Sequence, residues 1–174
     1  GQAPAHQLLT CSIIIPVYNE AHYTRACLER LSETLPPDFQ GEVIVVDDQS
    51  SDETPDMLAA LAERWPWLQH IRNVENLGFI RSCNAGAAQA ESDVLIFLNN
   101  DTLPEFGWLS ALLRPFELHA DAGAVGGKLL YPDGTLQEAG GIIFQDGSGW
   151  NFGRGSAEPD APLFNHLREV DYCS

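Results

Sequence analysis

Three short polar clusters hold the residues of this chain most suited to chemistry: Asn19-Glu20, Asp47-Asp48 and Asn99-Asn100-Asp101. Each directly follows an apolar run, at residues 11–17, 42–46 and 94–98. Taken singly, such clusters are ordinary turn and helix-cap chemistry. Taken together at strand ends, they offer hard oxygen ligands of the kind Mg²⁺ or Mn²⁺ accepts alongside water and phosphate. An anion held through a divalent cation fits the charge balance. Nine Lys and Arg stand against 25 Asp and Glu, a net charge of −16. That surface repels nucleic-acid backbones and anionic lipid heads, so a nucleic-acid partner is excluded from the reading.

The elements that must position these clusters alternate along the chain. The run at 11–17 is a strand; 21–35 follows as a helix, with Cys27, Leu28, Leu31 and Leu35 at spacings of three and four, and Pro36-Pro37 ends it. A second strand at 42–46 leads into a second helix whose apolar face is Met57, Leu58, Leu61, Ala62 and Trp65. Its start has two readings, a Ser50–Glu53 capping box or Thr54 before Pro55. A short strand at 70–73, a small-residue helix at 78–90, a strand at 94–98, a helix at 106–119 and a strand at 124–130 complete the pattern. Beyond Gly140 the sequence is glycine-rich and loop-like; Trp150 and Phe152 there either stack on a sugar or anchor the loop.

Strands at 11–17, 42–46 and 94–98 are continuous rather than alternating, which predicts three neighbouring strands covered on both faces. The fold class that follows is α/β: a three-layer α/β/α sandwich with a mostly parallel sheet, ligands binding at the carboxyl ends of the strands. Residues 9–174 read as a single domain, and 1–8 as a flexible N-terminus or tag remnant. No apolar run reaches the roughly 18 residues of a membrane span. Cys11, Cys27, Cys83 and Cys173 form no CxxC pair and read as small buried hydrophobes rather than disulfides or zinc ligands. A cytoplasmic setting follows, any membrane association being left to parts of a longer protein.

Rival motifs fail on their own residues. Gly123–Lys128 lacks the spacing and the Ser or Thr of a phosphate loop, and no GxGxxG follows the first strand.

The segments Ser12-Ile13-Ile14-Ile15-Pro16-Val17-Tyr18-Asn19-Glu20 and Val45-Val46-Asp47-Asp48-Gln49-Ser50-Ser51-Asp52 resemble the opening of family 2 glycosyltransferases of the GT-A fold. Asn76-Leu77-Gly78-Phe79, Asn84-Ala85-Gly86 and Phe97-Leu98-Asn99-Asn100-Asp101-Thr102 continue the likeness in order. With Val170-Asp171-Tyr172-Cys173-Ser174, it is similar to the rhamnosyltransferase-type branch of bacterial surface polysaccharide synthesis.

The resemblance implies a nucleoside-diphosphate sugar, UDP- or dTDP-linked, as donor and a saccharide or lipid-linked acceptor. It implies substrate contacts from Pro16, Val17, Tyr18, Asn19, Glu20, Asp47, Asp48, Asn76, Gly78, Asn84, Asn99 and Asn100, with Asp48 accepting from the base. Arg81 reads equally as a nucleotide contact or a solvated helix charge. Asp101 matches the last acid of an Asp-x-Asp motif and is the expected ligand of Mg²⁺ or Mn²⁺; Asn99 and Asn100 replace acids, leaving one carboxylate there. Transfer with inversion would need a general base, which relatives place in a Glu-Asp motif not matched after Asp101. The expectation is thus a chain cut before its base and inactive for transfer. The alternatives are a nucleotide-sugar-binding module without transfer and a sugar nucleotidyltransferase, the latter disfavoured by the lack of a Gly-rich basic loop after the first strand.

Overall fold

The computed structural model describes residues 9–139, 141–146 and 148–170. Residues 1–8 and the motif positions 171–174, Cys173 included, lie outside the described residues. Contacts divide the chain into two compact units, Gly1–Trp108 and Leu109–Ser174.

The first unit is built in the order β1 (Cys11–Val17), α1 (Ala21–Thr34), β2 (Gly41–Asp47), α2 (Thr54–Arg64), β3 (Leu68–Arg72), α3 (Phe79–Gln89) and β4 (Val94–Phe97). All strand pairs are parallel and the sheet order is β3-β2-β1-β4. The chain therefore moves outward from β1 to β3, then jumps back past β1 to β4. Right-handed crossovers place α1 and α2 on one face and, with the direction reversed, α3 on the other. The three-layer α/β/α architecture follows.

Burial agrees with this layering. Ile13, Ile14 and Ile15 of β1 and Val43 through Val46 of β2 are all fully buried, so both faces of the central pair are sealed. Ile14, Ile44 and Val46 pack with Ala85, Ala87 and Ala90 beneath α3. Gly86 makes that close approach possible, because a β-carbon there would stand 2.5 Å from Ile14 Cγ2 and 3.0 Å from Val46 Cγ2. Helices α1 and α2 bury Leu28, Leu31, Leu58 and Leu61, the counterpart for the opposite face.

Two strands differ from the sequence reading. Strand β4 lies at the sheet edge, and Leu95 and Phe97 are 42% and 52% exposed while Ile96 is buried. Its continuous apolar composition did not mean cover on both faces: a strand four residues long pairs only with β1 and alternates in burial. Of the two readings of the α2 start, the structure has the second: α2 begins at Thr54 with Pro55 in its first turn, and the Ser50 hydroxyl accepts from the Asn19 N–H in place of a capping box. The strand predicted at 124–130 contracts to Leu129–Leu130, where glycines at 123, 126 and 127 give no side chains to a sheet.

The second unit contains α4 (Trp108–Leu118) except its first residue, a β5 (Leu129–Leu130)–β6 (Leu136–Glu138) pair, a β7 (Gly141–Ile143)–β8 (Gly149–Asn151) hairpin and a 3₁₀ turn at Pro162–Phe164. Phe152 meets Phe164 edge-on at 5.4 Å and carries the Arg168 guanidinium 3.6 Å above its ring. It anchors the loop, whereas Trp150 is exposed.

Cys11, Cys27 and Cys83 are free and buried. Burial pushes the Cys11 thiol up to about 11 and, with help from the Asp101 charge, the Cys27 thiol up to about 12. Both are inert hydrophobes at neutral pH. Among the described residues no helix is long and apolar enough to cross a membrane.

Candidate nucleotide site

Where the strand order reverses, neighbouring βα loops leave in opposite directions and open a crevice at the carboxyl edge of the sheet. Here the reversal falls between β1 and β4. A cavity of about 300 Å³ lies at this end of the sheet, lined by Pro16, Val17 and Tyr18, by Asp48, and by Asn76, Gly78, Phe79 and Ser82. Its size is near the lower bound of ~300–1,000 Å³ typical of small-ligand sites, enough for part of a nucleotide sugar.

Asp48 lines the cavity and is also a structural clasp. Its Oδ1 accepts from the Leu77 N–H at 2.7 Å and from Asn73 Nδ2 at 2.9 Å, and its Oδ2 accepts from the Gly78 N–H at 2.9 Å. Asn76 Nδ2 donates to the Asp48 carbonyl at 3.1 Å. The Asp48 carboxylate thus sits at the N-terminus of α3, where orphan peptide N–H groups and the helix dipole favour negative charge. Burial alone would raise its carboxyl pKa. The hydrogen bonds from Leu77, Asn73, Gly78 and Ser82 outweigh burial and hold it below the usual carboxylate range. Gly78 adopts φ 81°, ψ 171°, a region essentially closed to residues with a β-carbon.

The other sequence candidates divide into braces and exposed residues. Asp47, 2% exposed, pairs with Arg72 and accepts the Ser50 N–H at 2.9 Å. Arg72 also donates to the Ser50 carbonyl at 3.0 Å, so one guanidinium ties the β3 end to the β2–α2 turn. Asn19 Oδ1 accepts from the Ser51 N–H at 2.8 Å and the Asp52 N–H at 3.3 Å, joining the β1 and β2 turns. Asn19, Glu20 and Gln49 all have positive φ, the only non-glycine residues to do so among those described. Backbone strain therefore collects at the two strand ends beside the cavity. Glu20 is exposed and faces His22 at 3.7 Å. Arg81 and Asn84 are exposed on α3. None of these residues lines the cavity.

The β4 end follows the same edge, because the Leu98 N–H donates to the Ile14 carbonyl at 3.0 Å. Asn99 accepts a weak Cys27 thiol contact at 4.0 Å through its carbonyl, and Asn100 Nδ2 donates to Thr24 Oγ1 at 3.1 Å. These contacts dock the loop against α1 and leave Asp101 exposed. Among the described residues no group of three or more His, Cys, Asp or Glu side chains could hold a metal ion. One exposed carboxylate does not make a free-standing metal site. It does suit Mg²⁺-like ions, which keep several waters and complete their shell with one or two carboxylates and substrate phosphates.

Sequence reasoning did not single out Phe79, Ser82, Asn73 or Arg72. Ser82 and Asn73 are buried polar residues joined at 3.0 Å behind Asp48. The available signal was a Ser one turn after Gly78 on an otherwise small, apolar helix face.

Comparison with known proteins agrees with this geometry. Residues 12–172 match the family described as Glycosyl transferase family 2. The O-antigen biosynthesis protein RfbC of Myxococcus xanthus is 33% identical over 160 residues, 89% of this chain and 12% of that protein. A probable N-acetylgalactosaminyltransferase 6 of Caenorhabditis elegans is 32% identical over 166 residues, 92% of this chain and 27% of its own. Among solved structures, the mannosyltransferase PcManGT from Pyrobaculum calidifontis in complex with GDP-Man and Mn²⁺ superposes with a TM-score of 0.62 at 25% identity, over 72% of this chain and 36% of that one. S. aureus TarS 1–349 in complex with UDP-GlcNAc gives a TM-score of 0.58 at 26% identity, over 64% and 32%. The chain thus spans about a third or less of these relatives. With the sheet, the cavity at its carboxyl edge and the matched span in agreement, the chain belongs to glycosyl transferase family 2 and has the GT-A fold.

Proposed function

We propose that this chain is the donor-binding part of an inverting, metal-assisted glycosyltransferase of surface polysaccharide synthesis, taking a UDP- or dTDP-sugar. One observation carries the reading: a cavity at the carboxyl edge of the sheet is lined by the end of β1, Asp48 after β2 and the start of α3, and the Asn99-Asn100-Asp101 loop follows β4 on the same edge. Relatives bound to GDP-Man with Mn²⁺ and to UDP-GlcNAc support a nucleoside diphosphate in general. Pro16, Val17, Tyr18, Asp48, Asn76 and Gly78 would hold the nucleoside, with a free lone pair of Asp48 accepting from the base. Asp101 would hold the cation through its carboxylate. When bound, that cation neutralises charge on the departing diphosphate. Asn99, Asn100, Arg81 and Asn84 remain the candidates for the ribose, sugar and phosphates. The acceptor hydroxyl would attack the anomeric carbon from the face opposite the leaving group, its proton going to a base outside the residues assigned here.

Calorimetry of UDP, dTDP and GDP with and without Mn²⁺, for the native chain and Asp101→Asn, tests this. Native protein should bind a pyrimidine diphosphate more tightly with Mn²⁺. Asp101→Asn should lose that gain, about 1–3 kcal/mol or roughly 5- to 150-fold in affinity, while keeping metal-free binding. Equal metal enhancement in both proteins would dismiss Asp101 as the ligand, and no binding of any of the three would sink the functional reading.

A further inference from the structure

Phe79 is the first residue of α3 and is 59% exposed, yet it lines the cavity. Helix spacing gives this exposure a meaning. Phe79, Ser82, Cys83 and Gly86 fall at i, i+3, i+4 and i+7, one stripe of the helix. The last three are buried, and Gly86 packs on Ile14 and Val46. Phe79 therefore belongs to the sheet-facing stripe but overhangs the carboxyl end of the sheet, one turn beyond the packing that covers the rest. Ile80, the next residue, is 74% exposed and does not line the cavity.

We propose that Phe79 is an affinity-determining contact for the nucleobase, its ring taking the face of the base across the cavity from the Pro16–Tyr18 segment. This rests on the nucleotide reading above. A base edge carries polar groups that suit Asp48 and Ser82 below, while both its faces are apolar and aromatic. A large ring left more than half exposed in the lining of a cavity that also holds Asp48 gains contact area and a stacking partner when a base enters. The turn is built to hold it there: Asp48 clasps the Leu77 and Gly78 N–H groups, and the conformation of Gly78 sets where α3 begins.

The test compares Phe79→Leu, Phe79→Tyr and Ile80→Ala with the native chain by calorimetry. The probes are the tighter of UDP and dTDP with Mn²⁺, and inorganic pyrophosphate with Mn²⁺. Phe79→Leu keeps apolar bulk but loses the ring, and should bind the nucleotide about tenfold more weakly, in the range stacked bases show on aromatic loss. Its pyrophosphate affinity should be unchanged, Phe79→Tyr should stay near native, and Ile80→Ala should match native throughout. Thermal midpoints should agree among all four. The inference is overturned if Phe79→Leu binds nucleotide as tightly as native. Equal loss for nucleotide and pyrophosphate would overturn it too, since the effect would then pass through the turn and not the base. Failure of the native chain to bind either nucleotide would instead remove the functional reading on which it rests.

Discussion

Asp48 does two jobs with one carboxylate. Its oxygens take the peptide N–H groups of Leu77 and Gly78 and the amide of Asn73, and the residue is only 5% exposed. Its pKa is lower in the fold than in a free chain, despite burial, because those donors favour the charged form. A group depressed on folding stabilises the protein above its unfolded pKa, about 3.9 for Asp, and that contribution is lost as pH falls through the folded value. Asp48→Asn should therefore be less stable at pH 7 by roughly 1–3 kcal/mol, because an amide cannot accept from both peptide N–H groups as a carboxylate does. Its stability should also decline less steeply than native below about pH 4. Urea unfolding at pH 7 and at steps down to pH 3 measures both. Asp52, whose carboxyl is likewise lowered by Thr54 and Ala21 against burial, keeps some acid sensitivity in either protein, so the difference between the two curves is the readout. Parallel acid limbs would place the proton uptake elsewhere.

At the scale of elements, α3 links the packing of the sheet to the cavity. Gly86 lets it lie directly on β1 and β2, and the same helix carries Ser82 and Phe79 into the cavity. A methyl at position 86 meets two γ-methyls of β-branched side chains that are themselves fully enclosed, so neither can swing away cheaply. Overpacking should outweigh the better helix propensity of alanine, giving Gly86→Ala a net loss on the order of 1–2 kcal/mol. Lifting α3 should also weaken nucleotide binding. A variant with an unchanged urea midpoint and unchanged affinity would show that α3 has slack to move. Much of this was legible in the sequence: the unalternating β1 and β2 runs, the small-residue helix and the polar strand ends each announced their place. What was not legible depends on contacts distant in sequence. The apolar run of β4 could not reveal that Leu95 and Phe97 would be exposed at an edge, because burial of a strand is set by its neighbours and not by its own composition. The resemblance singled out Asp48 for the base, but the pair itself could not show that Asp47 would brace Arg72; adjacent residues on a strand end turn to opposite sides, and the register with β3 decides the partner.

Across the whole molecule, 25 acidic residues stand against nine basic ones in a chain whose candidate site is offered to an anion. The cavity itself holds a buried carboxylate and no lysine or arginine in its lining. A nucleoside diphosphate approaching without metal therefore meets a repulsive field, whose range is about 30 Å at 0.01 M salt and about 8 Å at 0.15 M. This reverses the salt dependence familiar from basic phosphate sites, where added salt weakens binding by screening attraction. Metal-free UDP or dTDP should bind this chain more tightly as NaCl rises from 0.01 to 0.15 M, by a factor on the order of two to five. With Mn²⁺ saturating, the nucleotide enters as a complex of much lower charge, so the same titration should be nearly flat. Asp101→Asn separates local from global effects. It removes one of 25 acidic charges, so the metal-free salt response should persist while the metal-dependent gain disappears. Calorimetry at three salt concentrations, with and without Mn²⁺, reads all of these slopes. If metal-free affinity instead falls with salt, a positive local field dominates at the phosphates, and exposed Arg81 on α3 becomes the residue to replace first. A flat response in the absence of metal would mean that the acidic surface is too distant from the cavity to govern what enters it.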